Sequence, residues 1–237
     1  MKNKRYKIKK IIMLVLRLLC VILFPLSYVL DYDMAGKITF FTVQSNILVL
    51  IIMIGLSVYD ILILCEKNIK MPKFMHILKL VSTTSITLTF VVFGIILTPL
   101  LIRDGRSDVV LSYSSIVMHQ FIPLVALVDW IIGDNDNKIS YYFSPVPVSF
   151  ALYYFIFTMI ASNAGVTYPS YENGHEVEAK FPYFFLNYIK YGWFEFKNGG
   201  IGVAYWLVIM AIIIVFTGFI LVLIKNLQHK YKFKKSN

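Results

Sequence analysis

The sequence predicts an all-α fold, a polytopic membrane bundle of six transmembrane helices with both termini in the cytoplasm. Hydrophobic residues make up 58% of the 237 positions and charged residues only 15%, which leaves too little polar surface for a soluble domain. The apolar residues form six runs, each close to the roughly 20 helical residues that cross a bilayer core. Basic residues gather at both ends, in MKNKRYKIKK and KNLQHKYKFKK, as is typical beside a cytoplasmic membrane surface.

The spans account for most of the chain, so 1–237 is expected to form a single integral membrane domain. Polar breaks such as DYDMAGK and RDGRSD separate the first five spans, and a long outer loop over 165–200 precedes the last. The predicted spans cover 11–30, 38–64, 78–102, 109–132, 146–164 and 201–224.

Individual spans carry their own signals. The first is too long for a signal-peptide core and lacks a small-residue cleavage site, so it is expected to stay as a helix, with Arg17 snorkelling to the inner surface. The third contains STTSITLT, over 82–89, whose hydroxyls are expected to bond to their own helix backbone. The fifth starts at Pro145 and Pro147, where a helix tolerates proline best.

The outer loop changes character along its length. Its first part contains the acidic stretch YENGHEVE, over 171–178, and its second part, FPYFFLNYIKYGW, is aromatic. Tyrosine and tryptophan are enriched at membrane interfaces. The aromatic part is therefore expected at the outer surface, either as an interfacial anchor or as a lid over the bundle.

The net charge of +10 favours membrane lipids rather than nucleic acid as partners. With the N-terminus inside, the inner segments hold 15 Lys and Arg residues and the outer segments hold 6. The basic ends suit contact with anionic lipid, and no aromatic-basic platform for nucleic acid accompanies them. The basic ends and the lack of eukaryotic targeting signals favour a bacterial plasma membrane.

Several familiar kinds of active site are missing from the sequence. It has no G-x-S-x-G elbow, no H-E-x-x-H pair and no phosphate-binding loop. Its His, Cys and Asp residues are not clustered like metal ligands, so neither a metal nor another cofactor is expected. Cys20 and Cys65 are interpreted as small apolar residues rather than as a disulfide. Candidate chemistry is therefore confined to polar groups within the spans.

His119 is the one histidine of four that falls in the middle of a predicted span. An ionisable group is costly in lipid and marks a functional site by default, and neutral imidazole is a good general base near pH 7. The alternative is an imidazole that hydrogen-bonds across helices. Ser115, four residues earlier, shares its helix face and is placed to position the ring. Asp129 lies about 15 Å further along the axis, too far to orient the imidazole, and is assigned with Asp60 to the inner boundary.

The start of the second span, FFTVQSN, places several polar side chains ahead of a long apolar run. At helical spacing Thr42, Ser45 and Asn46 share one face, so two hydroxyls and an amide aim at one place. This pattern suits a hydroxyl nucleophile with hydrogen-bond donors beside it. Two structural interpretations stay open: Thr42 caps the helix, and Ser45 and Asn46 pack against neighbouring helices.

Three stretches together resemble the androgen-induced-protein-like family of six-span membrane proteins: FFTVQSNILV in the second span, HQFIPLVALVDW in the fourth, and FPYFFLNYIKYGW before the sixth. Their order and spacing are similar over nearly the whole chain, and the resemblance is greatest to the bacterial branch. Animal members of that family are hydrolases with a threonine nucleophile, and they cleave fatty acid esters of hydroxy fatty acids.

The resemblance implies that Thr42 is the nucleophile and His119 the base of a hydrolase acting on a lipid ester. Ser45 and Asn46 are then candidate donors to the oxyanion, and Ser115 is a candidate positioning residue. On the predicted boundaries Thr42 lies about 6 Å and His119 about 15 Å below the outer surface. The two meet only if the second helix begins deeper or tilts.

Two other classes of function fit the same sequence. In one, the chain binds or transports a lipid or small molecule without catalysis, and His119 is a packing or proton-relay group. In the other, it is a structural partner in a membrane complex. A hydrolase predicts contact between Thr42 and His119 inside a pocket that opens to lipid. A transporter predicts a path to both faces, usually with broken or repeated helices.

Overall fold

The computed structural model describes residues 4–30, 37–65, 69–133, 138–172 and 175–234. Within these residues six helical spans are long and apolar enough to cross a membrane. The predicted all-α bundle with six spans is therefore confirmed, and the chain is a multi-pass integral membrane protein. The spans are Lys4–Leu30, Phe41–Leu64, Lys73–Arg103, Tyr113–Ile132, Tyr141–Asn163 and Val203–Tyr231.

Several spans combine more than one element. In chain order the described elements are α1 (Lys4–Leu30), α2 (Phe41–Leu64), α3 (Lys73–Val92), a π-helical segment (Phe93–Leu97), α4 (Thr98–Arg103), α5 (Ser107–Val110), α6 (Tyr113–Ile116), a second π-helical segment (Val117–Phe121), α7 (Ile122–Ile132), a 3₁₀ turn (Tyr141–Phe143), α8 (Val148–Asn163), β1 (Tyr168–Glu172), β2 (His175–Ala179), a 3₁₀ turn (Phe184–Leu186), α9 (Tyr188–Tyr191), β3 (Phe196–Lys197), β4 (Gly200–Ile201) and α10 (Val203–Lys234).

Helix boundaries differ from the predicted ones mainly where polar residues extend or delay a helix. α1 already includes Lys4, because lysine and arginine are good helix formers beyond the apolar run. α2 begins at Phe41, three residues later than predicted. Prolines lie at helix starts as expected, with Pro72 preceding α3 and Pro147 preceding α8.

The third and fourth spans each contain one π-helical turn, at Phe93–Leu97 and at Val117–Phe121. Each turn comes just before a proline, Pro99 in α4 and Pro123 in α7. Proline cannot donate to the carbonyl four residues back and crowds it. The wider π turn accommodates this interruption without ending the helix.

The buried apolar side chains form three clusters along the bundle. The largest joins α1, α2, α3 and α7 and includes Phe24, Val49 and Ile122. A second, around Trp130, lies near the end of the bundle where α1 begins and α10 ends. A third, around Tyr154, lies under the loop that precedes α10. These two ends are called the basic end and the hairpin end.

Close contact at one glycine fixes the position of α10. A Cβ atom at Gly218 would lie 2.4 Å from the carbonyl oxygen of Ser144, well inside van der Waals contact. Glycine is therefore required where α10 crosses the connection that leads into α8.

The loop over 165–200 contains two short β-hairpins, which the prediction of a wholly helical fold omitted. In the second, Phe196 pairs with Ile201. Its turn residues Asn198 and Gly199 have φ of 53° and 71°, as in the type I′ turns that Asn-Gly sequences favour.

The first hairpin pairs β1 with β2, with Tyr168 opposite Ala179. The acidic stretch 171–178 falls on this hairpin, and its residues 173–174 lie outside the described part of the chain. Those two residues are again Asn-Gly in the sequence, between segments of strand-forming residues. The signal for both hairpins was therefore present in the sequence.

A network of buried ion pairs joins the helices at the basic end. The Arg17 guanidinium donates to Asp60 through Nη1, at 2.7 Å, and to Asp129 through Nη2, at 2.6 Å. Lys10 Nζ lies 2.6 Å from the other oxygen of Asp60, and Lys79 Nζ lies 3.0 Å from the other oxygen of Asp129. Each of these five side chains is at least 94% buried.

The expectation that Arg17 snorkels to the surface is therefore wrong. Its side chain is fully buried because two carboxylates on neighbouring helices neutralise it within the bundle. Asp60 and Asp129 lie near the C-terminal ends of α2 and α7, and their side chains are buried within the bundle. The network connects α1, α2, α3 and α7, and Lys225 adds α10 by donating to the carbonyl of Trp130 at 2.8 Å.

Arg17→Gln is expected to lower the melting temperature by about 10 °C, because removing one partner of a buried ion pair costs about 3–5 kcal/mol. Intrinsic tryptophan fluorescence of the protein in detergent measures this change. Arg103→Gln is the matched control, since the Arg103–Asp104 pair is exposed and is expected to contribute less than about 1 kcal/mol. Equal melting temperatures for Arg17→Gln and the wild type would contradict the assigned role of the network.

Candidate functional site

A partly enclosed cavity of about 90 Å³ lies at the hairpin end of the bundle. Its wall is almost entirely hydrocarbon, with Leu88, Phe93 and Leu207 among the lining residues. The hydroxyl-bearing residues among the described lining are Thr42, Thr89, Tyr154 and Tyr183. The cavity therefore combines a long apolar wall with one polar corner, at the start of α2.

Thr42 is the second residue of α2 and stands at this polar corner. The residue before the helix is Phe40, which has an extended backbone and whose side chain makes no capping hydrogen bond. Thr42 is thus not the helix cap, and the capping interpretation is wrong. Because α2 begins three residues later than predicted, Thr42 lies one residue from the helix start instead of four, about 1.5 Å along the axis instead of about 6 Å.

The aromatic segment over 181–193, called the aromatic cover, lies over the cavity. Tyr183, Phe185 and Leu186 line the cavity. The rings of Tyr183 and Phe185 stack with centroids 5.1 Å apart, and Trp206 of α10 packs edge-on against Phe184. These ring contacts hold the cover against the sixth span and close one side of the cavity.

The phenol of Tyr183 reaches the start of α2. Burial raises the pKa of Tyr183 to about 12, and interactions with the Thr42 side chain and with the backbone of Thr42 and Phe41 oppose that rise. Such interactions favour the charged form of a phenol, as hydrogen-bond donors do. The first turn of α2 therefore presents donors toward the Tyr183 oxygen.

Ser45 and Asn46 connect α2 to its neighbours. Ser45 Oγ lies 3.0 Å from the Thr42 carbonyl and 2.9 Å from Thr89 Oγ1. The Asn46 amide donates to the carbonyl of Thr42 at 2.8 Å and to that of Met118 at 3.1 Å. Because both amide hydrogens are engaged, Asn46 bridges the second and fourth spans in this structure and does not offer a donor to the cavity.

His119 lies in the second π-helical segment and is held from two sides. Its Nδ1 is 3.1 Å from the carbonyl oxygen and 3.3 Å from the hydroxyl of Ser115. Its ring stacks on that of Phe93, with centroids 3.7 Å apart and planes inclined by 12°. A carbonyl only accepts hydrogen bonds, so the contact with Ser115 favours the tautomer protonated at Nδ1, with the lone pair on Nε2.

The structure brings Thr42 and His119 to the same region without a hydrogen bond between these two described residues. Asn46 links the backbone of Thr42 to that of Met118, directly before His119. Phe93 lines the cavity with Thr42 and stacks on His119. Phe93 thus connects the imidazole to the cavity wall, and His119 is not among the described residues that line the cavity.

Asp129 is engaged elsewhere, as its ten-residue distance from His119 indicated. It pairs with Arg17 and Lys79 at the basic end. In the hydroxyl-rich stretch 82–89, Thr87 and Thr89 donate to carbonyls four residues back, at 2.7 and 3.4 Å, as expected. Thr84 departs from this expectation, since its hydroxyl is buried without a partner among the described residues.

Sequence reasoning missed three residues of the site: Phe93, Tyr154 and Tyr183. Phe93 lies in a uniformly apolar run, so nothing in its neighbourhood distinguishes it from lipid-facing residues. Tyr154 had a weak signal, since Tyr154, Thr158 and Ser162 recur every four residues and place three hydroxyls on one face of α8.

Comparison with known proteins identifies no relative. No protein-family profile, no curated protein and no solved structure matches this chain. The family resemblance in the sequence therefore stays a prediction, and the geometry of the site carries the functional inference.

Asn46→Ala is expected to lower the free energy of unfolding by about 1–3 kcal/mol, because it leaves the buried Met118 carbonyl without its donor. Ser57→Ala is the matched control: Ser57 is also buried on α2, but its hydroxyl bonds only to its own helix, at Met53 O. Thermal unfolding in detergent compares the two. A loss for Asn46→Ala no larger than that for Ser57→Ala would contradict the bridging role.

Proposed function

We propose that this protein is an intramembrane hydrolase that cleaves a fatty acyl ester of a lipid, with Thr42 as nucleophile and His119 as general base. The observation that carries the proposal is the position of Thr42 at the polar corner of an otherwise hydrocarbon-lined cavity. A wall of this kind suits the methylene groups next to an ester, and the cavity is only partly enclosed, so the rest of the chain extends into the bilayer.

His119 is suited to the role of base. The contact of Nδ1 with the Ser115 carbonyl orients the ring and leaves Nε2 to accept a proton. Ser115 is then a positioning residue. Because Phe93 lines the cavity and stacks on the imidazole, the proton passes from Thr42 to Nε2 after Phe93 rotates, or through a water molecule beside it.

The proposed reaction has two steps. The Thr42 oxygen bonds to the ester carbonyl carbon while its proton moves to Nε2 of His119, and collapse of the tetrahedral intermediate releases the alcohol, which takes that proton. A water molecule then gives a proton to Nε2 and attacks the acyl-threonine. Breakage of the acyl–oxygen bond releases the fatty acid and returns the proton to Thr42.

We infer that the bundle lies in a bacterial plasma membrane with both termini in the cytoplasm. The basic end carries the start of α1 and the end of α10, whose exposed lysines suit an anionic lipid surface. The cavity then opens on the outer half of the bilayer. Membrane lipids are both the surroundings and the source of substrate.

A non-catalytic lipid-binding protein is the second candidate. It is favoured by the hydrogen bonding of His119, which engages Ser115 rather than Thr42 in the described residues. In this case the cavity binds an acyl chain, Thr42 is part of its wall, and His119 serves helix packing.

Labelling with a fluorophosphonate probe tests the hydrolase. The wild-type protein in detergent is expected to react, Thr42→Ser to retain labelling, and Thr42→Ala and His119→Ala to lose it by at least about tenfold, as the loss of a nucleophile or its base predicts. Mass spectrometry of the labelled peptide locates the adduct.

Thr87→Ala and His229→Ala are the controls, since each removes the same functional group at a position outside the cavity wall. Both are expected to label like the wild type. Absence of labelling in the folded wild-type protein would refute the hydrolase and leave the lipid-binding candidate.

Accessibility of cysteines tests the orientation. In a Cys20→Ser background, the exposed Cys65 at the end of α2 is expected to react with a membrane-impermeant maleimide only after cells are permeabilised. Thr167→Cys, added before β1 in a second variant that also lacks Cys65, is expected to react in intact cells. Labelling of Cys65 in intact cells would reverse the proposed orientation.

A further inference from the structure

We propose that the first turn of α2, together with the phenols of Tyr154 and Tyr183, forms an oxygen-binding recess for the carboxylate or carbonyl group of a fatty acyl lipid. The methylene groups next to that carbonyl group occupy the adjoining apolar cavity. The ligand class rests on the proposed function, while the recess itself is argued from the groups that line it.

The first backbone amides of α2 lie at the cavity, since Phe41 and Thr42 are among its lining residues. The described residues show no side-chain cap at Phe40, and the first amide with an acceptor in the preceding turn is that of Gln44, which bonds to Phe40 O at 3.1 Å. The amides of Phe41, Thr42 and Val43 precede it. As the first amides of a 24-residue helix they also carry its positive dipole end.

Buried phenols surround this helix start. The ring of Tyr154 lies 5.1 Å from that of Phe41 and 6.4 Å from that of Tyr183. The ring of Tyr168, from the first hairpin, packs 5.5 Å from Phe40. Three tyrosine rings, from α8, β1 and the aromatic cover, therefore lie around the same helix end.

Two of these tyrosine hydroxyls are buried without a hydrogen-bond partner among the described residues. Tyr154 is 5% exposed and Tyr168 is 1% exposed, and neither phenol oxygen has a partner there. Thr158, one turn from Tyr154 on the same face of α8, has a buried hydroxyl in the same condition. Buried polar groups in proteins are normally paired, so such a cluster indicates a ligand that supplies acceptors.

The chemistry of the recess selects the ligand. It offers hydroxyl and amide donors, and the described residues that line the cavity include no charged side chain. A phosphate dianion would lack a compensating cation at such a site. A carboxylate, or a carbonyl oxygen that gains negative charge during attack by Thr42, fits neutral donors at a helix N-terminus.

The donors of this recess replace Ser45 and Asn46, which the sequence predicted as donors to the oxyanion. Ser45 and Asn46 are occupied by the carbonyls of Thr42 and Met118 and by Thr89. Phe41 and Tyr183 line the same cavity as Thr42, so the first-turn amides and the Tyr183 phenol take the place of those donors in the proposed recess.

Binding of tritiated palmitate to the purified protein tests the recess. The measurement uses the Thr42→Ala variant, so that turnover does not affect it. Tyr154→Phe and Tyr183→Phe, each made in that background, are expected to weaken binding by about tenfold, as loss of one hydrogen bond to a charged group predicts. Tyr153→Phe is the matched control, since Tyr153 is the neighbouring tyrosine of α8 and is 51% exposed.

Competing ligands with the same chain separate head-group recognition from chain burial. Hexadecanol, which lacks the carbonyl, is expected to compete at least about tenfold less well than palmitate. Stronger competition by methyl palmitate than by palmitate would identify the ester carbonyl as the ligand, and the reverse order would identify the carboxylate; both support the recess.

Wild-type affinity in both Tyr→Phe variants, or equal competition by hexadecanol and palmitate, would overturn the proposal. The hexadecanol comparison needs no tyrosine variant, so it decides the question even if a variant fails to fold. Palmitate binding without fluorophosphonate labelling would refute the hydrolase and leave the recess standing. Fluorophosphonate labelling without tyrosine-dependent palmitate binding would support the hydrolase and refute the recess.

Discussion

The contact on which the bundle depends is the pairing of Arg17 with two carboxylates. A guanidinium in the interior of a membrane protein is tolerated only when opposite charges meet it. Here one planar group holds Asp60 with one nitrogen and Asp129 with another. Because the fork of donors is rigid, it fixes the relative depth of three helices as well as their spacing. Lys10 and Lys79 each pair with the second oxygen of one of the two carboxylates.

The two ends of the bundle are therefore held together by different kinds of contact. The basic end is stabilised by charge pairs that connect four of the six spans, and a hydrogen bond from Lys225 to a backbone carbonyl adds α10. The hairpin end has no comparable network in the described residues, and its contacts are between rings and between hydroxyls and carbonyls. Such contacts are weaker and easier to rearrange than buried ion pairs. The cavity is thus located in the part of the bundle that opens at lower cost.

The sequence was sufficient for the architecture because hydropathy in a membrane protein depends on local composition alone. Six apolar runs predict six spans, and Pro147 predicts the start of the fifth helix. Partners were harder to predict. Arg17 was assigned to the surface because its helix gives no sign of Asp60 and Asp129, which lie 43 and 112 residues away in the chain.

For the candidate site, too, local features could be predicted from the sequence and tertiary contacts could not. The polar stretch of α2 and the isolated His119 stood out against apolar neighbours, and Ser115 followed from four-residue spacing. Tyr183 did not stand out in the sequence, because whether an aromatic loop anchors in the interface or covers a cavity depends on tertiary packing. The hairpins were overlooked for a different reason: their Asn-Gly signals lay within a chain whose composition pointed uniformly to helices.

The two π-helical segments determine which faces of the third and fourth spans point toward the site. A residue advances an α-helix by about 100°, so the extra residue in a π turn rotates everything beyond it relative to what precedes it. In the third span, Lys79 faces the ion pairs while Phe93 faces the imidazole, and the turn at Phe93–Leu97 sets the face of the remaining helix independently. Loss of a single residue from either turn would therefore keep both helices intact and yet aim their far ends at different neighbours. Neither helix can therefore lose a single residue without changing its contacts, although the bilayer would tolerate a span one residue shorter.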